Sequence, residues 1–294
     1  MDAFQIVLYV IVTFYVLSMI FVLGFGLLNS FKADGDFDKN LFGLPRTDKP
    51  SWGWRFDNYS NAIKLFSVQI PNTANYAHFW DMFFNSFIYA FGLTVFTMAT
   101  EIIMAYAIAK YDFKLKKFFY GVAIVVMLIP IIGSLASEVQ FARFFNLQNS
   151  FLGVFIMKCK FTGIYFLVFY ATFKGISWTY AEAAQIDGAS HLRVFLEVML
   201  PLAKATISAV FILLFIEYWN DYYVPMIFLP QKPTLSYGLF YIRSSDNTYE
   251  GLDGDLTTPI KLASCFIACV PILAVFVVFK DKIMGNVTMG GIKG

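Results

Sequence analysis

Long uncharged apolar runs separated by short polar segments set the pattern of this 294-residue chain. Phe4 to Ser30 holds 27 consecutive uncharged residues, more than the ~20 that a helix needs to cross the hydrocarbon of a bilayer. No basic segment precedes it and no small-residue cleavage site follows, so it predicts a retained span and not a removed leader. Met82 to Ala109 predicts a second span, broken only by Glu101, and Phe118 to Ser137 a third with Pro130 as a kink. Phe151 to Phe173 predicts a fourth, interrupted by Lys158 and Lys160, and Ala205 to Phe228 a fifth that carries Glu217 and Asp221. Leu262 to Phe279, 18 uncharged residues between Lys261 and Lys280, predicts a sixth. The expected fold is an all-α integral membrane protein of six transmembrane helices. It forms one transmembrane domain over residues 1–294, with an extracytoplasmic loop at 31–81 and a cytoplasmic connection at 174–204.

Composition agrees with that pattern. The chain is 59% hydrophobic and 14% charged, against about 45–50% and about 25% in soluble domains, which excludes the soluble and disordered classes. Lys and Arg number 22 against 20 Asp and Glu, a balance with no electrostatic footprint for nucleic acid. Six spans put both termini on one side. The segments of that side (1–3, 110–117, 174–204, 280–294) hold ten Lys/Arg in 57 residues, against ten in 97 on the other, so the termini are expected in the cytoplasm. Cys159, Cys265 and Cys269 lie in apolar runs and predict core packing, not disulfides. His78 and His191 sit in loops with no metal-ligand spacing around them.

Charges inside spans cost about 2.5–3.5 kcal/mol each at the bilayer centre, so each should face protein or a wet path. Glu217 and Asp221 lie one turn apart, as do Tyr218 and Tyr222. With Trp219 and Asn220 they make a polar, aromatic segment suited to hydroxyls and sugar faces. It predicts either part of a substrate path, together with Asn85 and Lys160, or an outer interfacial belt. Lys158 and Lys160, two residues apart, point roughly 200° from each other on a helix. They cannot share a pore wall unless the helix breaks, so snorkelling to the outer headgroups is the expected arrangement, with contact to an acidic sugar as the other. Glu101 is expected to hydrogen-bond within the bundle. Trp52, Trp54, Phe56, Tyr59 and Trp80 in the loop 31–81, and Tyr237, Tyr241 and Tyr249 later, predict interfacial belts or a contact surface outside the membrane.

Between the fourth and fifth spans, residues 177–201 predict a short helix, a tight corner and a second helix. Ser177 is the candidate N-cap, Ala181 to Ala184 are good helix formers, Gly188 suits a left-handed turn, and a second helix can start near Ser190. Small alanines admit a close partner and Glu182 and Asp187 offer it carboxylates. An amphipathic connector in the headgroups is the alternative.

The same segment carries Glu182-Ala183-Ala184, then Gly188, Val198 and Leu200-Pro201 at fixed spacing. It resembles the cytoplasmic EAA signature of ABC importer permeases, and the fuller run EAAQIDGASHLRVFLEVMLP is similar to the carbohydrate-uptake, maltose-type branch. Asn85-Ser86, Ala105-Tyr106-Ala107, Ile129-Pro130, Trp219-Asn220-Asp221 and the tail Met289–Gly294 extend the resemblance in the family's order. Val198 stands where Ile is usual, and Trp178 where Pro is. The resemblance implies a type I ABC importer permease fold in the bacterial inner membrane. It implies a second homologous permease, two cytoplasmic ATPases that use ATP and Mg, an extracytoplasmic solute-binding protein, and a sugar or oligosaccharide substrate, neutral or acidic. It assigns ATPase coupling to Glu182, Ala183, Ala184, Asp187, Gly188, Leu200 and Pro201, and no cofactor to this chain. No G-x-x-x-x-G-K-[ST] occurs and no Lys precedes Ser or Thr, so energy must come from another chain or from an ion gradient. An ion-coupled secondary transporter is therefore the alternative, and an intramembrane enzyme is disfavoured because H-E-x-x-H and G-x-S-x-G are absent.

Overall fold

The computed structural model describes residues 3–47, 53–129, 133–244 and 257–287. Trp52, the Pro130 kink, Tyr249 and the tail Met289–Gly294 lie outside the described residues. In chain order the elements are α1 (Ala3–Ser30), α2 (Asp34–Phe37), α3 (Asp57–Leu65), β1 (Ser67–Gln69), β2 (Tyr76–His78), α4 (Phe79–Lys110), α5 (Lys116–Leu128) and α6 (Leu135–Phe144). There follow α7 (Phe151–Lys158), α8 (Ile164–Gly175), α9 (Thr179–Ile186), α10 (His191–Val194), a π-helical turn (Phe195–Met199) and α11 (Leu200–Leu202). The last are α12 (Lys204–Asn220), α13 (Tyr223–Phe228), α14 (Leu235–Ser244) and α15 (Thr258–Val287).

Among the described residues three helices are long and apolar enough to cross a membrane alone: Ala3–Ser30, Phe79–Lys110 and Thr258–Val277. His191–Leu202 and Lys204–Asn220, bent by 76°, make a fourth if the pair counts as one span. The expected third, fourth and fifth spans are not single helices. The third divides between α5 and α6. The fourth breaks over residues 159–163, after Lys158, where Cys159 turns extended (φ −63°, ψ 133°). The fifth stops at Asn220, where Asp221 is extended and takes the N–H groups of Tyr223 and Val224 onto its own carboxylate at 2.9 and 3.2 Å.

The chain forms two compact units, Met1–Met82 with Leu235–Pro271 and Phe83–Thr234 with Ile272–Gly294. In the first, residues 3–24 of α1 are exposed, as an apolar helix surrounded by lipid needs to be, and burial begins only near Asn29 and Ser30. There Asn58 of α3 donates to the carbonyls of Ser30 and Lys32 at 2.8 and 2.9 Å, satisfying acceptors left over at the helix end. Phe31 packs its ring against Trp54, Phe56 and Tyr59, with centroids 5.9, 5.1 and 5.0 Å away. Trp54, Phe56 and Tyr59 of the loop 31–81 thus form one packed cluster around Phe31. The loop's β1–β2 hairpin, with Val68 opposite Ala77, is an addition to the expected all-α fold.

In the second unit α4 buries a stripe at helical spacing: Ser86, Tyr89, Leu93, Thr97, Glu101, Ala105 and Ile108. Four of the seven carry polar groups, so the inner face of this span has hydrogen-bonding work to do. The cysteine expectation is corrected: Cys265 and Cys269 are exposed on α15 and Cys159 is only partly covered, because the buried face of α15 belongs to Ala263, Ser264 and Ala268.

Gly153 in the first turn of α7 is required by a close approach. A methyl group there would lie 2.5 Å from the Leu147 carbonyl oxygen and 2.9 Å from its Cα, both backbone atoms that cannot step aside. Gly153→Ala is therefore expected to destabilise the protein by about 1–3 kcal/mol, as overpacking does. Thermal unfolding of the purified protein in detergent checks this, with an unchanged midpoint contradicting it.

Candidate functional site

Two of the helix breaks face a common cavity of 170 Å³ lined by Tyr89 and Leu93 of α4, Lys158, Lys160, Glu217, Tyr218, Asp221 and Val224. The geometry starts with Tyr89, wholly buried, whose hydroxyl donates to Asp221 Oδ2 at 2.6 Å. Below it the Tyr218 and Thr97 hydroxyls share a hydrogen bond of 3.1 Å, and the Tyr89 and Tyr218 rings meet edge to face at 6.5 Å. Lys158 pairs with Glu138, which also accepts from Ser134 at 2.7 Å, and its ammonium lies 4.6 Å from the Phe228 ring centre. Lys160 lies 3.7 Å from Glu217, with both side chains about half exposed (55% and 49%).

The break after Lys158 is what admits both lysines to one cavity, and it replaces the expected snorkelling. Neither ammonium runs out alone to a headgroup, because each has a carboxylate within the same unit. Thr100 donates to the carbonyl of Lys160, which the break leaves without a helical partner. The expectation for Glu101 is corrected in part. It is buried to 1% exposure, but its Oε2 has no hydrogen-bond partner among the described residues. Gly163 makes room for it, since a Cβ there would sit 2.9 Å from Glu101 Oε1.

Of the residues singled out in the sequence, Lys158, Lys160, Glu217, Tyr218 and Asp221 meet at this cavity. Trp219 is buried on the far side against Phe83 and Phe215, at ring separations of 6.0 and 5.7 Å. Asn220 turns back to the Ile216 carbonyl at 2.9 Å, and Asn85 ties the start of α4 to the Pro233 carbonyl at 3.0 Å. Tyr222 is exposed and outside the lining set. Tyr89 is the residue that sequence reasoning passed over. Its signal is its spacing, one helical turn beyond Asn85 and two before Thr97, on the polar stripe of α4.

The connecting segment forms a second surface. α9 starts at Thr179, not on a Ser177 cap: Trp178 occupies the cap position, and Ser177 Oγ accepts the Thr179 N–H at 3.3 Å. The helix ends in a Schellman turn, Ala189 N–H to Ala184 carbonyl (2.9 Å) and Gly188 N–H to Gln185 carbonyl (3.0 Å), with Gly188 left-handed at φ +86°. Ser190 caps α10 through the Arg193 N–H. Glu182, Ala183, Asp187 and Gly188 are all exposed, and so are Ile186 and Leu192. The inner face is anchored. Ala181 and Val194 are buried, Tyr106 of α4 packs its ring 4.7 Å from that of Phe195, and Tyr111 packs on Trp178 at 6.1 Å. Lys110 donates to the Ile176 carbonyl. Pro201 has no N–H to give Glu197, and the preceding turn widens to π geometry before the 76° bend into α12.

A fold with polar-lined breaks in its spans and an exposed helical elbow at one end is that of a transport subunit. Residues 101–287, more than half the chain, match the model of the family described as binding-protein-dependent transport system inner membrane component, and the chain belongs to that family. It is 28% identical over 267 residues to the diacetylchitobiose uptake system permease protein NgcG of Streptomyces coelicolor, covering 90% of this chain and 81% of that one. It is 30% identical over 206 residues to the sn-glycerol-3-phosphate transport system permease protein UgpE of Yersinia enterocolitica, covering 69% and 70%. A crystal structure of a bacterial ABC transporter involved in the import of the acidic polysaccharide alginate shares its fold, with a TM-score of 0.78 over 95% of each chain at 20% identity. The protein is a multi-pass inner membrane component of such a system, which sets the ion-coupled alternative aside.

Removing the Asp221 carboxylate strands the buried Tyr89 hydroxyl. Asp221→Ala should cost about 1–3 kcal/mol, the penalty of an unsatisfied buried donor. Adding Tyr89→Phe to it should recover part of the loss. Chemical denaturation of the single and double variants measures this, and a double variant less stable than Asp221→Ala would contradict the pairing.

Proposed function

We propose that this chain is one of two homologous permease subunits of an ATP-driven importer that receives a sugar or oligosaccharide from an extracytoplasmic binding protein. The observation that carries the reading is the exposed α9 elbow, rigidly anchored on its inner face to α4, within a chain of this transport family. Glu182, Ala183, Ala184, Asp187 and Gly188 form the face that meets a cytoplasmic ATPase, which binds the ATP and Mg. Leu200 and Pro201 act on shape, by setting the bend into α12. On this reading the elbow, and with it both termini, is cytoplasmic.

The cavity at Tyr89, Tyr218 and Asp221 is this subunit's share of the substrate path, with Lys160 at its edge. Carboxylates, ammonium groups and hydroxyls around tyrosine rings suit a polyhydroxylated solute, which needs several hydrogen bonds and apolar contact with ring faces. The relatives point the same way, one being a diacetylchitobiose permease. An acidic sugar is the second reading, favoured by two lysines at a single cavity. The half-exposed Lys160–Glu217 pair contributes only about 0–1 kcal/mol, so a solute carboxylate can displace Glu217 at small cost.

Gly188→Pro tests the coupling role, because proline fixes φ near −65° where the turn needs +86°. The importer complex is expected to assemble and to bind loaded binding protein. Its substrate-stimulated ATP hydrolysis should fall at least about tenfold, equivalent to ~1.4 kcal/mol of lost coupling. Wild-type uptake and stimulation by this variant in nanodiscs would overturn the assignment.

A further inference from the structure

A larger cavity, 390 Å³, opens where three segments leave the apolar zone together. It lies between the end of α4, the start of α5 and the end of α8, and is lined by Asp112, Lys116, Lys117, Tyr120, Tyr170 and Lys174. None of these residues takes part in the candidate path or in the elbow. At this level α4 changes from uncharged residues to Lys110, α8 changes at Lys174, and α5 changes from Lys116-Lys117 to an uncharged run. The change of character in all three marks the membrane–water boundary.

The charges are in excess. Lys116 is paired with Asp112 at 3.3 Å. Lys117 has no carboxylate partner among the described residues, and the Lys174 ammonium rests 5.7 Å from the Tyr170 ring centre. Tyr120 and Tyr170 pack with ring centres 4.8 Å apart, tilted by 38°, and make the apolar floor. Lys116 and Lys117 occupy the first turn of α5, where the helix dipole disfavours cations and Leu115 supplies no side-chain cap. An anion held in the cavity offsets both terms.

We infer that this cavity holds the phosphate ester of an anionic phospholipid headgroup at the membrane–water boundary. A lipid headgroup and a free phosphate share this chemistry, and the basic pocket's place between spans at the membrane–water boundary favours the lipid. Lys117 and Lys174 are the phosphate ligands, Tyr120 and Tyr170 the wall against the glycerol, and Asp112 holds Lys116 at the rim. The site lies next to the segment that opens the elbow, since Lys174 is followed by Ile176, whose carbonyl Lys110 holds. The assignment to the cytoplasmic leaflet rests on the orientation given under the proposed function; the cavity and its charge do not.

Native mass spectrometry of the full chain, in its complex or alone, tests the inference by counting bound lipid after titration with phosphatidylglycerol or phosphatidylcholine. The readout needs no uptake or ATP hydrolysis, so failure of the importer reading leaves it intact. The wild type should retain phosphatidylglycerol in preference. Lys117→Gln with Lys174→Gln should weaken that retention roughly tenfold or more, given the attraction that each Lys near an anionic surface supplies. The double Arg variant should keep it, and Lys114→Gln, in the same loop but off the cavity, should behave as wild type. Equal retention of the two lipids by the wild type, or no loss in the double Gln variant, would overturn the site. Displacement of phosphatidylglycerol by millimolar inorganic phosphate would overturn its assignment to lipid and leave a soluble anion as the occupant.

Discussion

A helix that breaks inside hydrocarbon exposes N–H and carbonyl groups that no water can reach, at several kcal/mol each unless the protein answers them. The second unit is organised around meeting that constraint. Thr100 of α4 donates to the Lys160 carbonyl at the break between α7 and α8. Asp221 turns its carboxylate onto the first N–H groups of α13, and Tyr89 donates to that carboxylate in turn. The polar stripe of α4 therefore repairs its neighbours, and the cavity exists because the repairs hold two broken spans around one straight one. The end of α8 is answered in the same way, by Lys110 on the Ile176 carbonyl.

Charge balance follows from the same placement. The two lysines of the cavity are each paired, Lys158 with Glu138 outside the lining and partly covered against Phe228, and Lys160 with the half-exposed Glu217. The covered pair fixes α7 against α6. The exposed pair is held loosely, since exposed ion pairs contribute little, and so it is the part of the wall that rearranges at least cost. The proposed path for a polar solute calls for this combination, because groups that bind too firmly do not release. Glu101, with one oxygen unanswered beside Gly163, marks the polar stripe extending past the cavity toward the elbow.

Much of this was legible in the residues. Uncharged run lengths located α1, α4 and α15, where a single helix meets no interruption. Gly188 and Ser190 announced the corner and the second cap of the elbow, because left-handed turns and N-caps each draw on a few residue types. The breaks at 159–163 and 221–222 were not legible as breaks. Lys158, Lys160 and Asp221 were visible as charges in apolar runs, but helix continuity was the simpler assumption, and under it the lysines had to point apart. What decides the matter is the polar stripe on α4, and its donors meet their acceptors only after the chain folds. Trp219 misled for a related reason. Its neighbours Tyr218 and Asp221 face the cavity, while helical geometry turns the indole to a ring cluster with Phe83 and Phe215. Ser177 failed as a cap because Trp178, packed on Tyr111, takes the cap position and starts the helix one residue later.

The elbow illustrates how a sequence signature can encode mechanics as well as contact. Glu182, Ala183 and Gly188 are exposed, but Pro201 does its work by omission: with no N–H it prevents an ordinary turn, the helix opens to π geometry, and the chain bends by 76° at Ala203. Ala203 is buried in that corner, with its N–H accepted at 3.1 Å by the carbonyls of both Met199 and Leu200, so the bend is braced rather than hinged. Tyr106, Phe173 and Phe195 pack behind it, with Phe173 and Phe195 at ring separations of 5.4 and 4.7 Å from Tyr106. A displacement applied to α9 has no slack loop to absorb it and passes through these rings to α4. That is the helix whose other polar residues hold the cavity together, so the elbow and the cavity are built on one continuous element, the route that the proposed coupling requires.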